Sequence, residues 1–178
     1  MSYKKNVNLE NSKVFLLGAG QIGSKILDYF NEFDSQVVVV DKKRPENLLD
    51  KNFFYEFDLA QVNKIAELFD ELIKKHDCPE ILINSSYPKN NNWANCDFEN
   101  STTEDFLENL NFHLGSFSIS SKIICDEMKK NDLKGSVVLL NSIYGLVAQD
   151  ENLYVKENIN MSFPYPVIKS VLPIKWVF

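Results

Sequence analysis

The sequence is poor in the residues that hold small secreted folds and metal centres together. It has three cysteines, Cys78, Cys96 and Cys125, and two histidines in 178 residues. The cysteines are odd in number and scattered, with no CxxC pair and no histidine pairing. Neither a disulfide framework nor a metal site is expected, and reduced thiols suit a cytoplasmic compartment. No apolar run is long enough to span a bilayer, and MSYKKNVNLENSK has no apolar core of signal-peptide length before Val14. A soluble chain without a membrane partner is therefore expected. Nor is there an excess of positive charge. The formal charge of −6 argues against a nucleic-acid surface, because polyphosphates require clustered Lys and Arg. What remains has the apolar and charged content of one globular domain, large enough to bury a substantial core.

Glycine is sparse as well, six residues in all, yet Gly18, Gly20 and Gly23 stand in one turn. An apolar run, Val14 to Leu17, leads into Gly18-Ala19-Gly20-Gln21-Ile22-Gly23. A helix-like segment follows, then a second apolar run, Val37 to Val40, closed by Asp41. Strand, glycine turn, helix, strand and acid form the dinucleotide-binding fingerprint in its required context. Gly18 permits the tight turn, Gly20 lets backbone approach a pyrophosphate, and Gly23 lets helix pack closely on strand. The helix opening at Gln21 and Ile22 presents free N–H groups and a positive dipole end to phosphates. The alternative is a turn serving only strand–helix packing.

Apolar periodicity divides the chain into alternating strands and helices. Strands are expected at Val14–Leu17, Gln36–Asp41, Phe53–Phe57, Ile81–Asn84 and Ser136–Asn141. The four valines of the second imply burial on both faces, as a parallel sheet requires. Helices are expected over Ile22–Asn31, with Ile22, Ile26, Leu27 and Phe30 on one face, and over Val62–Lys75. A third, capped by Ser101 or Thr102, should begin near Glu104 and run to about Lys130. Lys42–Lys51 is a charged loop with room for one helical turn, Ser85–Thr103 and Ser142–Met161 are loops, and Pro164–Val171 has helical character. This order specifies a three-layer α/β sandwich, a Rossmann-type doubly wound parallel sheet with right-handed crossovers. Residues 1–12 should be loosely ordered, 13–170 should form the domain, and 171–178 a separate tail.

In such folds ligands bind beyond the carboxyl ends of the strands. Gly18–Gly23, Asp41, Asp58, Asn84–Tyr87 and Asn141–Tyr144 all fall there. Asp41 would accept hydrogen bonds from a ribose diol and repel a 2′-phosphate, so NAD is favoured over NADP. Lys42, Lys43 and Arg44 either soften that preference or form only a solvated turn. Tyr165 and Lys169, four apart on a helix, project from one face. An ammonium beside a phenol favours the phenolate, and such a phenol can exchange a proton with a substrate oxygen during hydride transfer.

Together these residues resemble the short-chain dehydrogenase/reductase family, from about Lys13 to Ser170. The resemblance implies that Gly18, Gly20, Gln21, Ile22, Gly23 and Asp41 hold the cofactor, with Asp58 and Leu59 at adenine. Asn84-Ser85-Ser86 stands where the family usually has an Asn-Asn-Ala-Gly turn. It further implies that Ser142 orients the substrate oxygen and Tyr165 is the general acid/base. Lys169 would hold the nicotinamide ribose and tune Tyr165. There are departures: Leu17 replaces the first glycine of the family's usual Thr-Gly opening. His113 falls at the fourth catalytic position in place of asparagine, and Asn111, two residues away, serves there only in a shifted helix register. The gap from Ser142 to Tyr165 is long, and its insert should lie beside the substrate pocket. NSSYPKNNNW, NLNFHLGSF and NSIYG are similar to reductases encoded with bacterial surface-sugar and flagellin-modification pathways, which implies a carbohydrate-type small-molecule substrate. By the same resemblance the catalytic helix should continue past Lys169, where Pro173 would break or kink it, and further strands and a homo-oligomeric contact should follow. The expected function is thus an NAD(P)-dependent oxidoreductase interconverting a hydroxyl and a ketone. A truncated, inactive dinucleotide-binding fragment is the alternative.

Overall fold

The computed structural model describes residues 9–150, 152–155 and 160–171. The expected loose N-terminus through residue 8, part of the insert before Tyr165 and the tail beyond Val171 lie outside them. Five strands, β1 (Lys13–Leu17), β2 (Gln36–Asp41), β3 (Phe53–Glu56), β4 (Ile81–Asn84) and β5 (Ser136–Leu139), form one sheet. All pairings are parallel and the order is β3-β2-β1-β4-β5. Helices α1 (Gln21–Asn31), α2 (Ile65–His76), α3 (Thr103–Leu110), α4 (Ser116–Lys130), α5 (Asn152–Val155) and α6 (Pro164–Val171) complete it. Among the described residues no helix is long and apolar enough to cross a membrane.

The continuous apolar runs are explained by burial on both sheet faces. Val14 and Leu16 of β1 join Val37, Val39, Leu27 and Phe30 in the core beneath α1. The alternate residues Phe15 and Leu17 join Val38, Val40, Phe69, Leu72 and Ile124 beneath α2 and α4. The helices thus cover both sides of the sheet, and the three-layer doubly wound architecture is observed. β1 is followed in space by β2 on one side and β4 on the other. The connections leaving β1 and β4 therefore diverge, and a crevice opens at their carboxyl ends.

Several boundaries differ from the sequence expectation. Ile22 is 61% exposed and does not share the buried face of Leu27 and Phe30, because the first turn of α1 overhangs the crevice. The second expected helix opens with a 3-10 turn at Val62–Lys64 before α2. β3 and β5 end one and two residues early, although Phe57 N still donates to Asp41 O and Leu140 N to Asn84 O. The long helix expected through Lys130 is observed as a continuous helical run over 103–130, with a π turn at Asn111–Gly115 joining α3 to α4. Gly115 sits there against Val62, where a Cβ would meet Val62 Cγ1 at 2.8 Å.

Thr102, one of the two candidate caps, caps α3. Its Oγ1 accepts from Asp105 N at 3.0 Å and donates to Asp105 Oδ2 at 2.8 Å. The same carboxylate receives Asn90 Nδ2 and Asn92 Nδ2, which ties the polar loop after β4 to the helix start. Thr102→Ala should therefore cost about 1 kcal/mol. For a chain of this size, thermal denaturation should show a midpoint lowered by about 2–4 °C. An unchanged midpoint would mean that the loop network holds α3 without the cap.

Candidate active-site cleft

A cleft of about 630 Å³ lies across the carboxyl ends of β1, β2, β4 and β5. Its first wall is the glycine turn. Gly18 adopts φ +84°, and a Cβ there would meet Ser86 Cα at 2.5 Å, so the turns after β1 and β4 are pressed together. Ser85 locks them, donating its backbone N–H to Leu17 O and its Oγ to Gly18 O at 2.7 Å. Gly23 closes the same contact from α1. Gly20 is different: a Cβ there would meet nothing within 4 Å, and its backbone faces the open cleft. No side chain caps α1 and no acid stands in its first turn.

Asp41, Asp58 and Leu59 form the far end. Asp41 Oδ2 accepts from Ala19 N at 2.6 Å and Oδ1 from Lys43 N at 3.1 Å, fixing the carboxylate beside the glycine turn. Lys42, exposed at the cleft margin, reaches across to Asp58 Oδ2 at 3.2 Å. Lys43 and Arg44 are exposed. Asn84, at the end of β4 behind the lining, is fully buried and accepts from Ser86 N and Oγ, while its Nδ2 has no partner among the described residues.

Tyr165 and Lys169 of α6 line the opposite wall. Lys169 is only 4% exposed. Its Nζ donates to Leu140 O at 3.1 Å, and burial lowers its pKa to about 8. Nζ also stands over the ring of Tyr165, 5.9 Å from the centroid. The 3-10 turn Ile143–Gly145 packs on this helix so closely that a Cβ on Gly145 would overlap Lys169 O. Ser142 begins that turn, and its Oγ accepts from Tyr144 N at 3.2 Å. It is half-buried and does not line the cleft.

His113 and Asn111 part company in the π turn. Asn111 is exposed, whereas His113 is fully buried. The imidazole lies among Tyr87, Trp93 and Phe117, with centroids at 4.5, 6.0 and 6.4 Å. Neither ring nitrogen has a hydrogen-bond partner among the described residues. Burial, reinforced by the Lys169 charge, lowers its pKa to about 3, so the ring is neutral. It stands one ring behind the cleft wall, which at that point is Tyr87.

The structure thus gathers Gly18, Gly20, Gln21, Ile22, Asp41, Asp58, Leu59, Ser85, Tyr165 and Lys169 around one cavity. Gly23, Asn84, His113 and Ser142 stand behind or beside its lining. Two contributors carry no signal in the sequence. Leu140 acts through its backbone carbonyl, and Phe117 is one apolar residue of α4 among several. Tyr87 falls in the segment beyond β4, so its location was legible though its contacts were not.

No family model matches the chain. In sequence it is 27% identical over 173 residues to post-translational flagellin modification protein A of Campylobacter coli, covering 91% of this chain and 67% of that protein. It is 30% identical over 105 residues to 7alpha-hydroxysteroid dehydrogenase of Paraclostridium sordellii, covering 59% of this chain and 38% of that one. In structure it is similar to a short-chain dehydrogenase of Leptospira borgpetersenii solved with bound NAD+. The TM-score is 0.78 at 24% identity, over 91% of this chain and 61% of that one. This is the short-chain dehydrogenase fold. The fold expected from the resemblance is therefore matched by a solved structure, and the expected likeness to flagellin-modification proteins by sequence. The short-chain dehydrogenase of Leptospira borgpetersenii is the longer protein, and this chain spans about three fifths of it.

Proposed function

We propose that the chain binds NAD(H) in this cleft and interconverts a hydroxyl and a ketone on a small, carbohydrate-type substrate. One observation carries the reading: Tyr165 and Lys169 open into the same cavity as Gly20 and Asp41. The residues suit a dinucleotide. The space beside Gly20 and the uncapped start of α1 suit a pyrophosphate, since free helical N–H groups attract anions. Asp41 retains lone pairs for a ribose diol beyond the bonds it accepts from Ala19 and Lys43. A bound nicotinamide would supply or accept the hydride. Tyr165 would give its phenolic proton to, or take one from, the substrate oxygen at Oη. With a pKa of about 8, Lys169 is mostly charged at neutral pH, and its ammonium stands over the Tyr165 ring. Ser142, whose hydroxyl hydrogen is not engaged by Tyr144 N, would donate to the same oxygen. The similarity to flagellin modification protein A and the asparagine-rich loop after β4 support a hydroxylated substrate. The free thiols Cys78, Cys96 and Cys125 agree with the reduced, cytoplasmic setting of such an enzyme.

The cofactor preference is testable directly. NADH should bind more tightly than NADPH by at least about tenfold, because the Asp41 carboxylate repels a 2′-phosphate. Asp41→Asn keeps the acceptor for Ala19 N but removes the charge, and should erase most of that margin. Calorimetric titration with both cofactors measures this, and tighter NADPH binding by the unmutated chain would show that Lys42 to Arg44 dominate. Assay of NAD-linked oxidation across a panel of sugars and nucleotide sugars tests the substrate class. Nucleotide binding without turnover is a second reading, favoured by the position of Ser142 outside the cleft lining.

A further inference from the structure

The enclosure of Lys169 assigns work to Tyr87, a residue of the cleft wall with no role expected from the sequence. An ammonium carries three donor hydrogens. Among the described residues Lys169 Nζ has one oxygen acceptor, Leu140 O, and no carboxylate pairs with it. Its remaining neighbours are aromatic faces: Nζ lies 5.5 Å from the Phe117 centroid, 5.6 Å from Tyr87 and 5.9 Å from Tyr165. A cation over an aromatic face is attracted by the ring quadrupole, most strongly when desolvated.

Tyr87 is placed for this by both backbone and ring contacts. The preceding residue, Ser86, is bonded to Asn84 Oδ1 and pressed on Gly18. The Tyr87 ring is braced edge-on by Trp93 at 5.2 Å and His113 at 4.5 Å. Its hydroxyl has no hydrogen-bond partner among the described residues, so the hydroxyl is not what holds the ring. Although Tyr87 as a residue is 38% exposed, desolvation of its phenol, with the neighbouring Tyr165, keeps that phenol well above its ordinary pKa, so it brings no negative charge to Lys169. The other titratable groups facing the ammonium are Tyr165 and the neutral His113. What Tyr87 offers the cation is therefore its ring face, as Phe117 does from 5.5 Å.

We propose that Tyr87 is a positioning residue whose ring face, with that of Phe117, holds the Lys169 ammonium charged and against Leu140 O, beside Tyr165. This rests on reading Tyr165 and Lys169 as the proton-transferring pair. The direct test is the titration of Lys169 in the ligand-free chain, followed by NMR of carbon-labelled lysine, in Tyr87→Phe and Tyr87→Leu. Tyr87→Phe keeps the ring and should titrate within about 0.2 pH units of the unmutated chain. Tyr87→Leu keeps apolar bulk but loses the face, and the Lys169 midpoint should fall by about 0.4–1.5 pH units. Pentafluorophenylalanine at position 87 preserves shape and burial while inverting the quadrupole. It should lower the midpoint as Tyr87→Leu does, and it decides the matter if the leucine variant misfolds. An unchanged or raised midpoint with the fluorinated ring would overturn the proposal, showing that Tyr87 merely excludes water. The measurement needs no turnover, so failure of the dehydrogenase reading would appear separately, as catalysis unaffected by loss of the Tyr165 hydroxyl.

Discussion

Tyr165→Phe should lower turnover by about 10²–10⁴-fold, the usual worth of a positioned general acid or base, with NADH affinity nearly unchanged. The two effects should separate because Tyr165 lines the wall opposite Asp41 and the glycine turn, the end proposed for the adenosine half of the cofactor. Phenylalanine keeps the ring contacts with Tyr87 at 5.8 Å and Tyr144 at 6.4 Å, so the wall itself should persist. It also keeps the face beneath Lys169 Nζ. Only the hydroxyl is lost. Single-turnover kinetics, where chemistry and not release of product sets the rate, provide the check. Turnover equal to that of the unmutated chain under those conditions would remove Tyr165 from the mechanism, whereas a large loss of NADH affinity would show that it also shapes the cofactor site.

Much of this architecture was legible because burial on both faces writes itself as unbroken apolar runs. Lys13–Leu17 and Gln36–Asp41 could be placed almost to the residue, and parallel pairing followed from their composition. The cleft was legible for a related reason, since polar residues closing apolar strands must lie at the strand ends. What stayed hidden depended on side-chain direction or on backbone atoms. Helical periodicity runs straight through Asn111–Gly115, so nothing local marked the π turn there, in which His113 is buried and Asn111 exposed. Ile22 matches the helical stripe yet overhangs the crevice, because periodicity cannot tell which residues of a first turn lie beyond the sheet. The carbonyl of Leu140 as partner to Lys169 has no residue-type signature at all.

Alanine substitution at Gly23 and Gly20 should separate the packing and ligand-binding roles of the glycine turn. In a helix interior, Gly→Ala ordinarily stabilises by about 1 kcal/mol, through propensity alone. At Gly23 a Cβ would overlap Gly18 O and stand 2.8 Å from Ser85 Oγ. The backbone oxygen cannot swing aside as a side chain would, and Ser85 Oγ is held by its 2.7 Å bond to that same oxygen. Overpacking of this kind costs roughly 3 kcal/mol at the upper end of its usual range, so the clash outweighs the propensity gain by about 2 kcal/mol. Gly23→Ala should accordingly lower the thermal midpoint by about 4–8 °C. At Gly20 the added methyl meets no protein atom within 4 Å, and φ of −67° suits alanine, so the midpoint should hardly move. NADH affinity should nevertheless fall at least about tenfold, because the methyl enters the space proposed for the pyrophosphate. Melting curves and cofactor titrations on both variants give the comparison. Gly23→Ala without loss of stability would mean the β1 and β4 turns yield more readily than their contacts suggest. Gly20→Ala with unchanged NADH binding would place the cofactor's phosphates elsewhere and remove the glycine turn from the binding site.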